Sequence, residues 1–268
     1  MVEQASRFYA AGRSPVAPRV AATVLLLRPA VDGPGFEVYL IRRVAAVAFG
    51  GVYAFPGGGV DPSDAGTDLD WAGPDPAAWG ARLGCPPDQA QAVVCAAARE
   101  VFEESGVLLA GPDGDTVVGA VDGPDWEADR QALLARTLSF AELLRRRRLT
   151  LRSDLLAAWS RWITPEFEPR RFDTYFFAAL LPTGQLTRDV SGEADQTVWA
   201  TPQTAELRAA AGQWKLLPPT RVTLAEVGAC ADPVAVFAAA ARRDPSSAIT
   251  PELRVDPDGT VSFAVPSR

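Results

Sequence analysis

The sequence contains no histidine among its 268 residues, and its single lysine is Lys215. The absence of histidine excludes Ser-His-Asp and Cys-His catalysis, histidine metal ligands and the most common general base. Any acid–base chemistry must therefore use carboxylates, tyrosine, the lysine or metal-bound water. The replacement of lysine by arginine is typical of a GC-rich bacterial genome and carries no information about mechanism.

Cysteine, long apolar runs and net positive charge are also scarce or absent. The three cysteines (Cys85, Cys95 and Cys230) include no close pair, which predicts reduced thiols and a cytoplasmic setting. No apolar run approaches the roughly 20 residues that span a bilayer, and the first residues lack the pattern of a signal peptide, so we expect no membrane contact. A net charge of -7 argues against nucleic acid as a partner. The local exception is the arginine run at 145–148, which is either a solvated helix face or a docking patch for an anionic ligand.

The segment REVFEESGV at 99–107 places three carboxylates on one face of a predicted helix. Glu100, Glu103 and Glu104 are three and four positions apart, so their side chains project from the same face. Like charges this close repel each other, but they would be stabilised by a hard divalent cation such as Mg²⁺ or Mn²⁺ lying among them. A solvated acidic face is the alternative, and context must decide between the two.

The context is a glycine-rich segment upstream, FPGGGVD at 55–61. It favours a metal site, because glycines let the backbone approach a ligand or metal closely. Together the two segments resemble the signature of the Nudix hydrolases, G-x5-E-x7-R-E-U-x-E-E-x-G-U, in which U is aliphatic. The second half of the signature is matched at every specified position. In the first half, Asp64 stands where the family usually has Glu, and the spacer from Asp64 to Arg99 is far longer than seven residues. If this insertion displaces Asp64, its replacement by Ala should matter much less than loss of a glutamate. A loss as severe as that of the glutamate variants would show that Asp64 still belongs to the site.

The resemblance implies that metal-activated water attacks one phosphorus of a diphosphate, with Mg²⁺ or Mn²⁺ as the cofactor. It assigns four groups to the metal: Glu100, Glu103, Glu104 and the carbonyl of Gly58. One glutamate of the Glu103–Glu104 pair is implied as the general base, and Arg99, one turn before Glu103, can brace it. Family members often recruit a further carboxylate from a later loop. Glu193 is our candidate for that catalytic role, with an ordinary surface residue as the alternative.

The candidate substrate-binding residues lie in or just before the glycine segment, except for one in a later apolar strand. They are Arg42, Arg43, Phe55, Gly57, Gly58 and, in the strand, Asp173. Arg42 and Arg43 end a predicted strand just before the glycine segment, so they can reach phosphates. Asp173 lies within an apolar strand, where an unpaired carboxylate is costly. We expect that Arg170 or Arg171 pairs with it, or that it lines the pocket.

The insertion and three flanking segments, at 38–51, 162–177 and 251–266, resemble one branch of the family. This branch comprises the coenzyme A diphosphatases that include the mammalian Nudix motif 19 protein. It implies cleavage of coenzyme A or acyl-CoA to 3′,5′-ADP and (acyl-)4′-phosphopantetheine, with a small-molecule nucleotide as the partner. Two alternatives stay open: a pyrophosphatase for ADP-ribose, NADH or another nucleoside diphosphate derivative, and a non-catalytic nucleotide-binding regulatory domain. Whether the chain forms a homodimer is also left open.

The predicted fold is a Nudix-type α/β/α sandwich with a mixed sheet, an insertion inside the signature and extra helices. We expect an N-terminal tail at 1–17 and one domain at 18–268, with insertions at about 65–98 and, in helical form, at about 124–160. Asp88 is the predicted N-cap of the signature helix. The predicted strands are 20–28, 36–43, 116–121, 172–181 and 196–200, with a hairpin at 253–263. The other predicted helices are 126–148, 201–211, one after 218–220, and 233–243.

Overall fold

The computed structural model of the chain describes residues 2–44, 51–66, 69–188, 194–255 and 261–264. The helices are α1 (Val2–Ala10), α2 (Pro76–Leu83), α3 (Pro87–Ser105), α4 (Pro124–Leu134), α5 (Phe140–Arg147), α6 (Pro202–Ala210), α7 (Pro218–Gly228) and α8 (Pro233–Ala241). The strands are β1 (Arg19–Pro29), β2 (Phe36–Arg43), β3 (Tyr53–Ala54), β4 (Gly57–Gly59), β5 (Trp71–Ala72), β6 (Ala110–Gly111), β7 (Thr150–Arg152), β8 (Leu156–Ile163), β9 (Phe172–Leu180), β10 (Ala194–Ala200), β11 (Ala248–Ile249), β12 (Glu252–Val255) and β13 (Val261–Ala264).

The main sheet is mixed, with the strand order β10-β2-β1-β9-β8-β11. β1 lies at its centre and pairs in parallel with β9 from Arg19 to Leu27. β2 and β4 both pair antiparallel with β1, on opposite halves of the strand. Because the sheet is covered on both faces, β1 and β9 are nearly continuous apolar runs and not alternating ones.

Helices cover the two faces of the main sheet, and each layer has its own hydrophobic core. On one face, α2 and α3 pack against side chains such as Val24 and Phe177. On the other face, α6, α7 and α8 pack against side chains such as Leu25 and Trp159. The predicted α/β/α sandwich with a mixed sheet is therefore confirmed.

The signature helix, α3, is longer than the signature itself. It begins with Pro87 at its first position and ends before Gly106, which adopts φ 73° as a left-handed C-terminal residue. The prediction that Asp88 is the N-cap is wrong, because Pro86 occupies that position and Asp88 lies in the first turn. The predicted helix start near residue 88 agrees with α3, and residues 87–98 of the predicted insertion form its first turns.

The two predicted insertions meet in a small second sheet of order β5-β7-β6. The second insertion is helical in α4, in α5 and in one 3₁₀ turn, Ser153–Leu155, so the prediction of a helical segment to residue 160 is wrong. Its last part pairs as β7 with β5 and β6, and then as β8 with β9. The predicted strand at 116–121 is also wrong, because β7 takes the pairing with β6 and residues 116–121 carry no strand.

The chain ends depart from the predictions in one case and agree in the other. The N-terminal segment, predicted as a tail, contains α1, where the Gln4 side-chain amide donates to the carbonyl of Phe167 at 3.2 Å. The predicted C-terminal hairpin is confirmed as β12 and β13, while its turn at 256–260 lies outside the described residues. Within the described part of the chain, no single helix is long and apolar enough to cross a membrane, although α7 and α8, bent by 110°, together pass that test by length and composition.

Candidate active site

A cavity of about 930 Å³ opens where β1, β4 and β9 meet the C-terminal half of α3. The loop between α4 and α5 and the prolines at the start of α7 complete its walls. The side chains of Glu100, Glu103 and Glu104 all line it, as does the glycine segment at 57–59. The two halves of the sequence signature, 40 residues apart in the chain, therefore share one cavity.

Arg99 is the centre of the polar network beneath this cavity. Its Nε and Nη2 donate to the two carboxylate oxygens of Asp64, each at 2.9 Å. Its Nη2 also donates to the carbonyl of Gly59 at 3.0 Å. Its Nη1 donates to Glu100 at 2.7 Å and to Glu103 at 3.2 Å. The guanidinium thus connects the glycine segment to two of the three glutamates of α3.

The insertion does not displace Asp64. This residue is 1% exposed and lies in a 3₁₀ turn, Pro62–Ala65, whose N-cap Asp61 forms a reciprocal capping box with it. The extra residues leave the site only after this turn and return as α2 and the start of α3. Of our two alternatives for Asp64, the structure therefore supports membership of the site.

The glutamates face the glycine segment at contact distance. Glu104 accepts a hydrogen bond from the amide of Gly57 at 2.7 Å. Glu100 lies so close to Gly58 that a Cβ atom there would be 2.6 Å from Oε1 of Glu100. A side chain at position 58 would therefore push the Glu100 carboxylate out of its present place, although the backbone angle there is not unusual.

Arg99 faces four carboxylates in this cluster, and burial is the main cause of the raised pKa values of two of them. Burial raises the pKa of Glu100 to about 7, and the neighbouring charge of Glu103 adds to the effect. Burial likewise raises the pKa of Glu103, against the opposing charge of Arg99. For Arg99, burial disfavours the charge, but the hydrogen bonds and charges of Asp64 and Glu100 together raise its pKa above the ordinary value.

This donor set fits a divalent cation. The carboxylates are hard oxygen ligands, and their ionised forms are disfavoured by burial unless more positive charge enters the cavity. In the part of the chain that the structure describes, no three acidic or cysteine side chains are already arranged around a metal position. Glu100 and Glu103 are turned toward Arg99, and Glu104 toward Gly57, so these contacts must loosen or be shared when a cation binds.

The candidate substrate-binding residues divide into two groups. Arg43, Phe55, Gly57 and Gly58 line the cavity. Arg42 does not; it forms an exposed ion pair with Asp195 at 2.6 Å.

Glu193, the candidate for a further catalytic carboxylate, lies outside the described residues.

Asp173 is the clearest correction. Neither Arg170 nor Arg171 is its partner: both carboxylate oxygens accept from Arg161, at 2.7 and 2.6 Å. The neighbouring positions Phe172 and Thr174 line the cavity, so strand alternation places Asp173 on the opposite face of β9. The period-two pattern of the strand was the signal that could have predicted this.

Sequence reasoning missed two cavity residues that lie in the loop between α4 and α5 and at the start of α5. Arg136 and Glu142 both line the cavity, although they lie well beyond the end of the signature at Val107. The Ser139–Glu142 capping box was visible in the sequence as S-x-x-E, but nothing local indicated that this helix start faces the glutamates.

We predict that Gly58→Ala lowers kcat/KM by about 100-fold, because the added methyl group displaces the Glu100 carboxylate from its place in the cluster. Gly59→Ala is the matched control, since nothing lies within 4 Å of a Cβ atom at that position. Steady-state kinetics and thermal melts of both variants check the prediction. Equal activity of the two variants would contradict the placement of Glu100 against Gly58.

Comparison with known proteins agrees with this geometry. Residues 79–226 match the family model described as the NUDT19 Nudix domain. The chain is 29% identical over 184 residues to the Caenorhabditis elegans protein named putative nudix hydrolase 7, with 68% of this chain and 52% of that protein covered. It is 27% identical over 208 residues to the Xenopus laevis protein named acyl-coenzyme A diphosphatase NUDT19, with 63% and 54% covered. The chain thus spans about half the length of these relatives.

A solved structure gives the same result for the fold. The NUDIX hydrolase from Alicyclobacillus acidocaldarius superposes with a TM-score of 0.64 at 27% identity, covering 83% of this chain and 96% of that one. The family match extends from α2 to α7 and includes all of α3, the helix that carries Arg99 and the three glutamates. Because that match covers more than half of the sequence, this chain belongs to the NUDT19 Nudix domain family.

Proposed function

We propose that the protein hydrolyses the diphosphate bond of coenzyme A or an acyl-CoA, giving 3′,5′-ADP and (acyl-)4′-phosphopantetheine. The observation that carries this proposal is the cluster of Arg99, Asp64 and the three glutamates on the wall of one large cavity. Coenzyme A as the substrate is supported by the name of the Xenopus laevis relative, acyl-coenzyme A diphosphatase.

In this proposal Glu100, Glu103, Glu104 and the carbonyl of Gly58 hold Mg²⁺ or Mn²⁺. When bound, the cation neutralises the diphosphate and lowers the pKa of the attacking water. One glutamate of the Glu103–Glu104 pair accepts the proton from that water. Glu193 remains a candidate for a further catalytic carboxylate from the loop before β10.

Arg99 acts through the glutamates in this proposal. Its Nη1 hydrogen bonds to Glu100 and Glu103 restrict both carboxylates, while Asp64 and Gly59 hold the rest of the guanidinium. Such supporting hydrogen bonds keep ligands oriented before the metal and substrate arrive. Arg99 is therefore a positioning residue.

The size and lining of the cavity are compatible with a substrate larger than a diphosphate. A volume of about 930 Å³ lies near the upper end of the range for small-molecule sites, roughly 300–1,000 Å³. Away from the glutamates, its lining includes apolar and aromatic residues such as Leu138, Trp162 and Phe172. Arg43 and Phe55 also line the cavity and are proposed to contact the substrate.

The test is product analysis by mass spectrometry. The protein is incubated with Mg²⁺ or Mn²⁺ and, separately, coenzyme A, acetyl-CoA, ADP-ribose, NADH and 8-oxo-dGTP. 3′,5′-ADP together with phosphopantetheine or its acetyl form is the expected result. Release of AMP from ADP-ribose or NADH, with coenzyme A intact, would overturn coenzyme A as the substrate and support the same metal-dependent hydrolysis of a diphosphate. No product from any of them would favour a nucleotide-binding regulatory role.

We also propose a cytoplasmic setting. It is supported by the three cysteines, Cys85, Cys95 and Cys230, which are all unpaired in the structure.

A further inference from the structure

Arg136 adopts a backbone conformation that an arginine rarely takes. It follows α4 with φ 56°, in the left-handed region that glycine usually occupies at a helix C-terminus. Its amide donates to the carbonyl of Leu133 at 2.8 Å, and the amide of Thr137 donates to the carbonyl of Ala132 at 2.9 Å. The helix end is therefore closed as a glycine would close it, while a long charged side chain is retained at an energetic cost.

The Arg136 side chain lies at the cavity, beside the glycine segment. It is 83% exposed, and among the described residues its ion pair is a long one, 3.5 Å, with Asp61. Arg136 and Glu103 line the same cavity. Arg99, in contrast, is buried and engaged by Asp64, Glu100 and Glu103.

The electrostatics of the cavity give the exposed guanidinium a role. The glutamates of α3 carry the negative charge needed for a cation, and a diphosphate drawn to that cation brings further negative charge. A guanidinium offers paired N–H donors that match two phosphate oxygens, and it stays charged at any working pH. Arg136 presents such donors at the edge of the cluster without first having to break a buried ion pair.

We propose that Arg136 binds the diphosphate of the substrate at the edge of the glutamate cluster. The proposal rests on the proposed function only in that the substrate contains a diphosphate; it does not require coenzyme A. It assigns the loop between α4 and α5, which lies outside the sequence signature, to substrate binding.

Arg148 provides a matched control. It also has φ 56°, follows α5 as a left-handed C-terminal residue, and is exposed. It does not line the cavity. Arg136→Gly and Arg148→Gly therefore remove the same side chain from the same backbone conformation, and both variants should melt at or above the wild-type temperature.

The experiment is isothermal titration calorimetry with Mg²⁺ and two probes. The first, α,β-methylene-ADP, carries a diphosphate group that resists hydrolysis. The second, 3′,5′-ADP, carries two separate monophosphates. We expect Arg136→Gly to weaken binding of α,β-methylene-ADP by about 10- to 100-fold, as loss of a charge-assisted hydrogen-bond pair implies. Binding of 3′,5′-ADP, which retains one of the two phosphates of the diphosphate, should weaken by much less, and Arg148→Gly should alter neither.

Several results would overturn the proposal. These are unchanged binding of α,β-methylene-ADP by Arg136→Gly, a loss of equal size with 3′,5′-ADP or in Arg148→Gly, and absence of diphosphate binding by the wild type. Failure of the product assay on coenzyme A would leave these titrations interpretable, because they measure diphosphate binding directly. The two proposals can therefore fail separately.

Discussion

Glu104→Gln should reduce kcat by about 10³-fold while the protein remains folded. Glu104 lines the cavity and accepts a hydrogen bond from the amide of Gly57 at 2.7 Å. The oxygen of a glutamine can still accept that bond, so the contact between α3 and the glycine segment is retained. The amide cannot take up a proton from water or supply a negative charge to a cation, so either role proposed for Glu104 would be lost.

Glu103→Gln should have an effect of similar size on turnover and a different effect on stability. Burial raises the pKa of Glu103, so its ionised form is disfavoured in the folded protein. The neutral amide removes that unfavourable charge, and without added metal the variant should melt at or above the wild-type temperature. This would be a cost in stability that the native site accepts for function.

Glu142→Gln is the control for both variants. Glu142 also lines the cavity, but its carboxylate serves the capping box with Ser139, a role that glutamine fulfils equally well. Rates, KM and melting curves are measured for the three variants with Mg²⁺ and Mn²⁺. Near-wild-type rates in both Glu103→Gln and Glu104→Gln would rule out the assignment of the metal site.

Asp64→Ala should lower both stability and activity. Asp64 accepts from Nε and Nη2 of Arg99 and from the amide of Asp61, and its side chain is fully buried. Its loss leaves buried donors unsatisfied, which should lower the free energy of unfolding by about 3 kcal/mol. The released guanidinium can then turn fully onto Glu100 and Glu103, and we expect a fall in kcat of about 10- to 100-fold.

Asp154→Ala is the comparison for Asp64→Ala. Asp154 also forms a two-pronged pair, with Arg152 at 2.8 and 2.7 Å, but it is partly exposed and does not line the cavity. Denaturant unfolding and steady-state kinetics should show reduced activity only for the Asp64 variant. Full activity per folded molecule in Asp64→Ala would mean that Arg99 positions the glutamates without this partner.

The catalytic half of the site was predictable because its information is local. Glu100, Glu103 and Glu104 are related by helical spacing, and Gly106 ends the helix, so one turn of sequence specifies one face of α3. The close approach of the glycine segment was likewise foreseeable from residue type alone. Strands β1, β2 and β9 could be predicted because they are largely apolar segments, as is typical of strands in a sheet that is covered on both faces.

The errors occur where a contact depends on distant segments. The partner of Asp173 is Arg161, from the adjacent strand β8, and only the register between β8 and β9 brings these two side chains together. Strand β7 was taken for helix because its three residues obtain their hydrogen-bond partners from β5 and β6, in another part of the chain. Such pairing depends on context and leaves little trace in a short sequence window.

By itself, the sequence determined the chemical groups of the candidate site: carboxylates on one helical face, a glycine segment to approach them, and no histidine. Helical spacing and residue type are properties of a few neighbouring positions, so they are legible without a fold. Only the tertiary structure decided that Asp64 stays with Arg99 despite the insertion, and that Arg136 reaches the same cavity. The Asp64–Arg99 pair and the position of Arg136 both depend on packing between segments that are far apart in sequence.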